Sequence, residues 1–365
     1  MDGFAVIAAY TKGATQKNPA TLQLAGTIAA GDSSQCTVSG GTAVAVATGA
    51  RFPSGADAVV MVEYTESDGK FVKVFTEVPK GKHVSPVGED LKKGKILLKK
   101  GTWLRAQDVS LVASVGVSTV KVFCKPKVAV FSTGSELVEV GTDLSAGAVI
   151  FDSNRYMLSA LISELGGEAI DLGICMDDEA HIKTALEKAL QYNMAVMSGG
   201  SSVGEKDYAP KVINSMGKPG VLVHGVAMRP GSPTGLSLID DKPVLNCPGY
   251  PVAAYFAFFT FGKPLLYKML QTSGIPEAKV AAKLTADVKL NESTRNFVRV
   301  KIITEKNQNG NIVYLAEPVS AAAASLLSTL TDSDAVIIAE NQTQLKQNQT
   351  VEVHLLRPTS GGAYQ

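Results

Sequence analysis

The sequence predicts an α/β protein in which a parallel-sheet domain is flanked by a β-rich N-terminal domain and a β-barrel-like C-terminal domain. Strand-type runs broken by Gly, Ser and Pro fill the first eighty residues or so, strand and helix patterns alternate from residue 126, and strand patterns return after residue 273. At 365 residues the chain also exceeds a single core, so two to four domains are expected. The boundaries we predict are 1–83 for the β-rich domain, 84–125 for its remainder or a linker, 126–273 for the α/β domain, 274–357 for the C-terminal β domain and 358–365 for a disordered tail.

Short β-type runs define the N-terminal domain, which we expect to be small and barrel-like. They lie at residues 4–8, 42–46, 58–64 and 71–74. A helical pattern follows at residues 106–115.

From residue 126, apolar runs predict strands and periodic segments predict helices. The strands are expected at 128–131, 169–174, 194–197, 221–226 and 243–245. Asp152-Ser153, Asp177 or Asp178, and Pro251 supply helix-start signals between or after them. Because such a β-α-β series gives a parallel sheet, ligands should bind beyond the carboxyl ends of its strands.

The C-terminal segment returns to strand patterns. Residues 297–303 and 312–315 flank Asn309-Gly310, which is a strong hairpin signal. Residues 335–339 and 351–356 complete a small sheet, and no catalytic cluster is visible in it.

Composition excludes several classes of function. The net charge is +1, with basic residues interspersed among acids, which argues against a nucleic-acid groove. The longest apolar run, residues 251–261, is too short to span a bilayer, and no signal peptide precedes Asp2. Four separated cysteines without a CxxC pair fit a reducing compartment. We therefore expect a cytoplasmic protein that binds neither nucleic acid nor membrane.

A Gly/Ser loop follows the strand predicted at 194–197. Its glycines Gly199, Gly200 and Gly204 allow backbone N–H groups to turn toward an anion, and its hydroxyl donors are Ser198, Ser201 and Ser202. Asp207 places a carboxylate near the next helix start, where it could hold a metal or a water molecule. Taken alone, a Gly-Gly-Ser-Ser loop is more often an ordinary strand-to-helix turn than a phosphate-binding loop.

Six polar loops, this one included, lie along the predicted rim of the sheet. They are Ser132 to Glu136, Asp152 to Asn154, Asp177-Asp178, Ser198 to Asp207, Arg229 to Pro233 and Cys247 to Pro251. Every one carries Gly, Pro, hydroxyl or carboxylate groups, as a site for a phosphorylated ligand and Mg²⁺ requires.

The sequence resembles the molybdopterin molybdenumtransferases, a family that includes the E domain of gephyrin. The resemblance extends in order over almost the whole chain and rests on MDGFAV at 1–6, TGA at 48–50, GADAVVMVE at 55–63, GED at 88–90, STG at 132–134, SGGSSVG at 198–204, RPG at 229–231 and PGYPV at 248–252.

The resemblance implies an elongated, cytoplasmic homodimer that takes adenylylated molybdopterin and molybdate, releases AMP with Mg²⁺ and leaves molybdenum on the pterin dithiolene. The molybdopterin adenylyltransferase would be its neighbour in the pathway. The catalytic residues it implies are Asp2, Thr48, Asp90, Glu136, Asp177 and Asp207, of which Asp177 and Asp207 would hold the metal. The ligand-binding residues it implies are Thr133, Gly134, Asp152, Ser153, Asn154, Ser198, Gly199, Gly200, Ser201, Ser202, Gly204, Arg229, Gly231, Pro248, Gly249 and Pro251. Asp2 and Thr48 would complete the site from the partner subunit.

This chain departs from the family pattern at several points. Ser135 stands where aspartate is common, Ser232 where lysine is common and Ala253 where serine is frequent, and the arginines that often precede GED are missing. The usual N-terminal helical segment is expected to be missing as well. An alternative therefore stays open, namely a non-catalytic paralogue that binds molybdopterin as a carrier or scaffold. Molybdate and tungstate, two tetrahedral dianions of similar size, are not distinguished by the sequence.

Overall fold

The computed structural model describes residues 2–33, 35–143, 149–200, 208–306, 308–319 and 324–357. The chain divides into two units, Met1–Leu97 and Leu98–Gln365. The predicted disordered tail, residues 358–365, lies outside the described residues. Among the helices that are described, none is both long and apolar enough to cross a membrane.

The described part of the first unit contains one mixed sheet. Its strands are β1 Gly3–Val6, β2 Ala20–Ile28, β3 Thr42–Val46, β4 Ala58–Met61, β5 Thr65–Ser67 and β6 Phe71–Val74. They pair in the order β4-β1-β3-β2-β6-β5, with only β2 and β3 parallel among these described pairs. The β-rich prediction is confirmed. The barrel-like closure expected here is wrong for the described residues, because β4 and β5 end the order without pairing to each other.

The second unit begins with α1 Ala106–Ser114 and continues as an α/β fold. Its strands up to residue 247 are β7 Lys127–Thr133, β8 Leu137–Val138, β9 Ile150–Phe151, β10 Glu168–Cys175, β11 Met194–Ser198, β12 Pro219–His224, β13 Met228–Arg229, β14 Gly235–Ile239 and β15 Lys242–Cys247. Its helices are α2 Asn154–Glu164, α3 Glu179–Ala189, α4 Tyr208–Met216, α5 Pro251–Ala257 and α6 Lys263–Met269, the last two joined by a π-helical stretch, Phe258–Gly262.

The main sheet of this fold has the order β10-β7-β11-β15-β14-β12. The pairings among β10, β7, β11 and β15 are parallel, which confirms the predicted parallel sheet. The expectation that the series stays parallel is wrong at one edge, where β14 runs antiparallel to both β15 and β12. The reason is a tight hairpin at Asp240-Asp241, whose φ angles of 44° and 59° reverse the chain before β15.

Helices cover both faces of the sheet because successive strand side chains point in opposite directions. From β7, Val128 and Val130 pack with α2, α5 and α6, whereas Ala129 and Phe131 pack with α3 and α4. These side chains are fully buried. The two apolar layers fix the sheet between the helices and leave the carboxyl ends of the parallel strands along one edge.

Five of the described strands after residue 278 form a closed barrel. The barrel strands are β16 Lys279–Leu284, β18 Arg295–Lys306, β19 Ile312–Pro318, β20 Ala335–Ala339 and β22 Thr350–Leu355. Strands β17 Val288–Lys289 and β21 Gln344–Leu345 pair with each other, and helix α7 is Ser328–Thr331. Pairing runs β18-β19-β16-β22-β20 and returns from β20 to β18, so the ring closes. The barrel-like C-terminal domain and its hairpin at Asn309-Gly310 are confirmed.

Candidate functional site

A cleft of about 660 Å³ opens where the central parallel strands end. Strands β7, β11 and β15 stop side by side, because Ser198 is paired in register with Ser132 on one side and Cys247 on the other. The lining comprises Ser132, Thr133, Gly134, Glu136, Leu137, Ile150, Phe151, Asp152, Ser153, Asn154, Asp177, Ser198, Gly199, Gly200, Pro233, Pro248, Gly249, Tyr250, Pro251 and Ser325. The strand-end loops predicted from sequence therefore meet around one cavity.

Two glycines form the part of the floor that follows β11. Gly199 has a φ of +98°, and a Cβ there would lie 2.1 Å from the carbonyl oxygen of Thr133. The N–H of Gly199 donates to the carbonyl of Cys247 at 3.0 Å. Gly200 has a φ of +59°, and its Cβ would meet Cγ2 of Thr133 at 3.0 Å. Only glycine lets this loop lie so close to its neighbours.

Asn154, the first residue of α2, ties three of these loops together. Its Nδ2 donates to Oγ of Ser198 at 2.8 Å and to the carbonyl of Gly249 at 2.7 Å. The side chain is buried, and Oδ1 has no hydrogen-bond partner in the described structure. The hydroxyl of Ser132, beside Ser198 on the neighbouring strand, also lacks one.

The carboxylate of Asp152 faces a buried guanidinium. Arg155 Nε donates to Oδ2 of Asp152 at 3.1 Å, and the Arg155 backbone N–H donates to Oδ1 at 3.3 Å. Arg155 also pairs with Asp171 at 2.6 Å and with Glu139. Burial by itself lowers the pKa of Arg155, but hydrogen bonds to the three carboxylates outweigh burial and raise that pKa. The Asp152 carboxylate, which is predicted to bind ligand, therefore also holds the start of α2.

Glu136 and Asp177 supply the other carboxylates of the described lining, which contains no Lys or Arg. Oγ1 of Thr133 donates to Oδ1 of Asp177 at 3.2 Å and so orients that carboxylate. Oxygen donors suit a hard cation such as Mg²⁺. Within the described ranges, however, no three His, Cys, Asp or Glu side chains gather closely enough to form a metal site by themselves.

Asp2 and Thr48, 46 positions apart in the chain, are brought together within the first unit. Oδ1 of Asp2 accepts from the Thr48 backbone N–H at 2.7 Å and from Oγ1 of Thr48 at 2.9 Å. These hydrogen bonds, the backbone one first, lower the pKa of Asp2 and favour its ionised form. Asp90 is exposed in the same unit.

Other predicted residues do not line the cleft. Arg229 ends β13, which pairs with β18, and a Cβ on Gly231 would lie 2.6 Å from Cε of Met228, so Gly231 allows local packing. Four predicted residues, Ser201, Ser202, Gly204 and Asp207, lie outside the described residues.

Sequence reasoning missed an apolar side of the cleft and one contribution from the C-terminal domain. Phe151 and Tyr250, which are 41% and 62% exposed, place two aromatic rings in the lining of the cleft. Ser325 lines the cleft because its neighbour Ala324 is held beside α5, where the carbonyl of Ala324 accepts from the N–H of Val252 at 3.1 Å. Tyr250 lies inside a motif and could have been noticed, whereas Ser325 depends on a long-range contact that no local pattern reveals.

Comparison with known proteins places this arrangement in a family. Three family models match: "MoeA N-terminal region (domain I and II)" at residues 1–116, "Probable molybdopterin binding domain" at 129–268 and "MoeA C-terminal region (domain IV)" at 281–356. A molybdopterin molybdenumtransferase of Bacillus subtilis is 35% identical over 370 residues, covering 100% of this chain and 84% of its own length. The chain belongs to the MoeA family. The resemblance seen in the sequence motifs is thereby confirmed.

Other relatives agree. A molybdopterin molybdenumtransferase of Staphylococcus epidermidis is 34% identical over 333 residues, which cover 86% of this chain and 77% of that protein. The crystal structure of a molybdopterin biosynthesis MoeA protein from Pyrococcus horikoshii superposes with a TM-score of 0.79 at 34% identity, covering 98% of this chain and 87% of that one. Every residue that lines the cleft, except Ser325, falls in the segment matched as a probable molybdopterin binding domain.

Proposed function

We propose that this chain is a molybdopterin molybdenumtransferase of molybdenum cofactor biosynthesis. It takes adenylylated molybdopterin and molybdate, inserts molybdenum at the dithiolene and releases AMP. The observation that carries the proposal is the 35% identity with the Bacillus subtilis enzyme of that name over the whole of this chain. The cleft supports it, because glycine backbone and carboxylates converge there at the carboxyl edge of a parallel sheet.

Residues of the cleft take distinct roles in this proposal. The backbone at Gly199 and Gly200 approaches the pyrophosphate, since no side chain stands in the way there. Asp177, oriented by Thr133, would hold Mg²⁺ together with Glu136 and the sequence-predicted Asp207. A bound Mg²⁺ would supply positive charge to the pyrophosphate oxygens.

The acids of the first unit enter the proposal through a second subunit. We infer that the protein is a homodimer in which Asp2, Thr48 and Asp90 of one subunit complete the cleft of the other. The fixed Asp2–Thr48 pair then presents an ionised carboxylate to the bound substrates. A molybdopterin adenylyltransferase supplies the adenylylated substrate.

The decisive experiment incubates the protein with adenylylated molybdopterin, molybdate and Mg²⁺ and follows AMP by chromatography. AMP release that requires both molybdate and Mg²⁺ is the expected result, and tungstate in place of molybdate tests the choice of oxyanion. Binding of the pterin without any AMP release would instead favour the non-catalytic carrier or scaffold. Absence of both binding and release would contradict the proposal altogether.

A further inference from the structure

The floor of the cleft holds two buried oxygen atoms that lack hydrogen-bond partners among the described residues. One is Oγ of Ser132, and the other is Oδ1 of Asn154. Both residues adjoin Ser198, the first through strand pairing and the second through a 2.8 Å hydrogen bond. Buried polar atoms without partners are rare in native proteins, and each one calls for an explanation.

The amide orientation of Asn154 is fixed by its surroundings. Both hydrogens of Nδ2 are used, by Oγ of Ser198 and by the carbonyl of Gly249. A flipped amide would place Oδ1 against a carbonyl oxygen that can only accept, so Oδ1 remains available solely as an acceptor. The Ser132 hydroxyl can accept as well as donate. The floor therefore offers two acceptors, both on residues that adjoin Ser198.

The floor itself is uncharged, and the charged groups beside it are mainly anionic. Ser132, Asn154 and Ser198 carry no charge, whereas Asp152 shares the guanidinium of Arg155 with Asp171 and Glu139. Glu136 and Asp177 add two further carboxylates to the described lining, which contains no Lys or Arg. A neutral ring with adjacent N–H donors matches this floor better than a phosphate does.

We propose that Ser132 Oγ and Asn154 Oδ1 bind the pyrimidinone edge of the pterin, accepting from its N3–H and 2-amino groups. This assignment rests on the proposed function, because it places one part of the substrate of that reaction. Adenine, the other ring of the substrate, carries its amino group between two acceptor nitrogens, so it has no ring N–H beside that amino group and would set a second acceptor against the floor.

Ser132→Ala tests the assignment, with Ser159→Ala as its matched control. Ser159 in α2 also has a buried hydroxyl without a partner in the described structure, but it does not line the cleft. Neither change removes a hydrogen bond of the free protein, so both variants should melt at or above the parent temperature. Molybdopterin binding, measured by equilibrium dialysis, should weaken about tenfold in Ser132→Ala and less than about twofold in Ser159→Ala, as expected for one hydrogen bond. Equal affinity in parent and Ser132→Ala overturns the proposal.

A ligand-side experiment separates the pterin from the adenine. The parent should bind pterin more tightly than 2-deaminopterin, and this preference should shrink in Ser132→Ala. AMP should bind parent and Ser132→Ala equally well. If AMP binding is weakened instead, the floor belongs to adenine and the assignment is wrong. Normal AMP release by a Ser132→Ala variant that binds pterin as well as the parent does would refute the inference while leaving the proposed reaction intact.

Discussion

Asp177 and Asp178 are adjacent carboxylates in different surroundings. Asp177 lines the cleft and accepts from Thr133, whereas Asp178 caps α3 by accepting from the backbone N–H of His181 at 2.9 Å. That backbone hydrogen bond, followed by the one with the His181 ring, lowers the pKa of Asp178. Two neighbouring residues therefore have different roles: Asp177 is a candidate metal ligand, and Asp178 caps a helix.

This contrast gives a matched pair of substitutions. Asp177→Asn can still accept from Thr133 but loses the charge that Mg²⁺ prefers, so AMP release should slow at least about a hundredfold and recover in part at high Mg²⁺. Asp178→Asn should leave both the rate and the melting temperature close to the parent, because asparagine caps helices about as well as aspartate. Equal rates for Asp177→Asn and the parent at every Mg²⁺ concentration would remove Asp177 from the metal site.

Gly200 can be tested with a control of similar backbone strain. Gly200→Ala and Gly116→Ala both place a Cβ at positive φ, +59° and +77°. Gly116→Ala should lose about 1 kcal/mol of stability, and Gly200→Ala somewhat more, because its Cβ also meets Cγ2 of Thr133 at 3.0 Å. Nothing lies within 4 Å of a Cβ at Gly116, whereas a Cβ at Gly200 would stand 3.5 Å from Oδ1 of Asp177. Only Gly200→Ala should weaken binding of adenylylated molybdopterin in a titration. Equal affinities for the two variants would show that the phosphates do not approach this loop.

At the scale of elements, the start of α2 organises the cleft. Asn154 joins the loops after β11 and β15, and Arg155 joins Asp152 to Asp171 on β10 and to Glu139 beyond β8. Because the side chains of Arg155 and Asp152 are only 5% and 2% exposed, removing Arg155 leaves the buried carboxylate of Asp152 without its cation.

Arg155→Leu should therefore lower the free energy of unfolding by about 3–5 kcal/mol, the range for breaking a buried ion pair by removing one partner. The control is Arg295→Leu, which removes the half-exposed pair with Glu340 and should cost about 1 kcal/mol or less. Urea denaturation measures both. Adding Asp152→Asn to Arg155→Leu should recover part of the loss, and a loss no larger than that of Arg295→Leu would contradict this account.

The sequence predicts those elements whose signals are local. The β7 and β11 apolar runs, the Asp178 cap and the Asn309-Gly310 hairpin all appear where they are expected. Strand β14 is missed because its hairpin uses Asp240-Asp241 at positive φ, where asparagine-glycine or aspartate-glycine is the usual signal. The sequence does not predict the contacts of Arg155 or the position of Ser325 at the cleft, since their partners are distant in the chain.

At the scale of the whole molecule, the predicted catalytic residues are divided between the two units. Asp2, Thr48 and Asp90 belong to Met1–Leu97, whereas Glu136 and Asp177 belong to Leu98–Gln365. A site that needs both groups can be completed within one chain or between two chains. In the proposed homodimer, each site is completed between two chains, so a dimer of two different variants can contain one intact site.

Two inactive variants should restore activity when mixed if the site is shared between subunits. In dimers of Asp2→Asn with Asp177→Asn, one of the two sites combines an intact first unit with an intact cleft, so random mixing should recover about a quarter of the parent rate of AMP release. Mixing Glu136→Gln with Asp177→Asn should recover nothing, because both changes fall in the cleft and every site is damaged. Subunits are exchanged by partial denaturation, and sedimentation confirms that dimers have re-formed. Recovery in neither mixture, or sedimentation as a monomer at micromolar concentration, would place all of these residues in the site of a single chain.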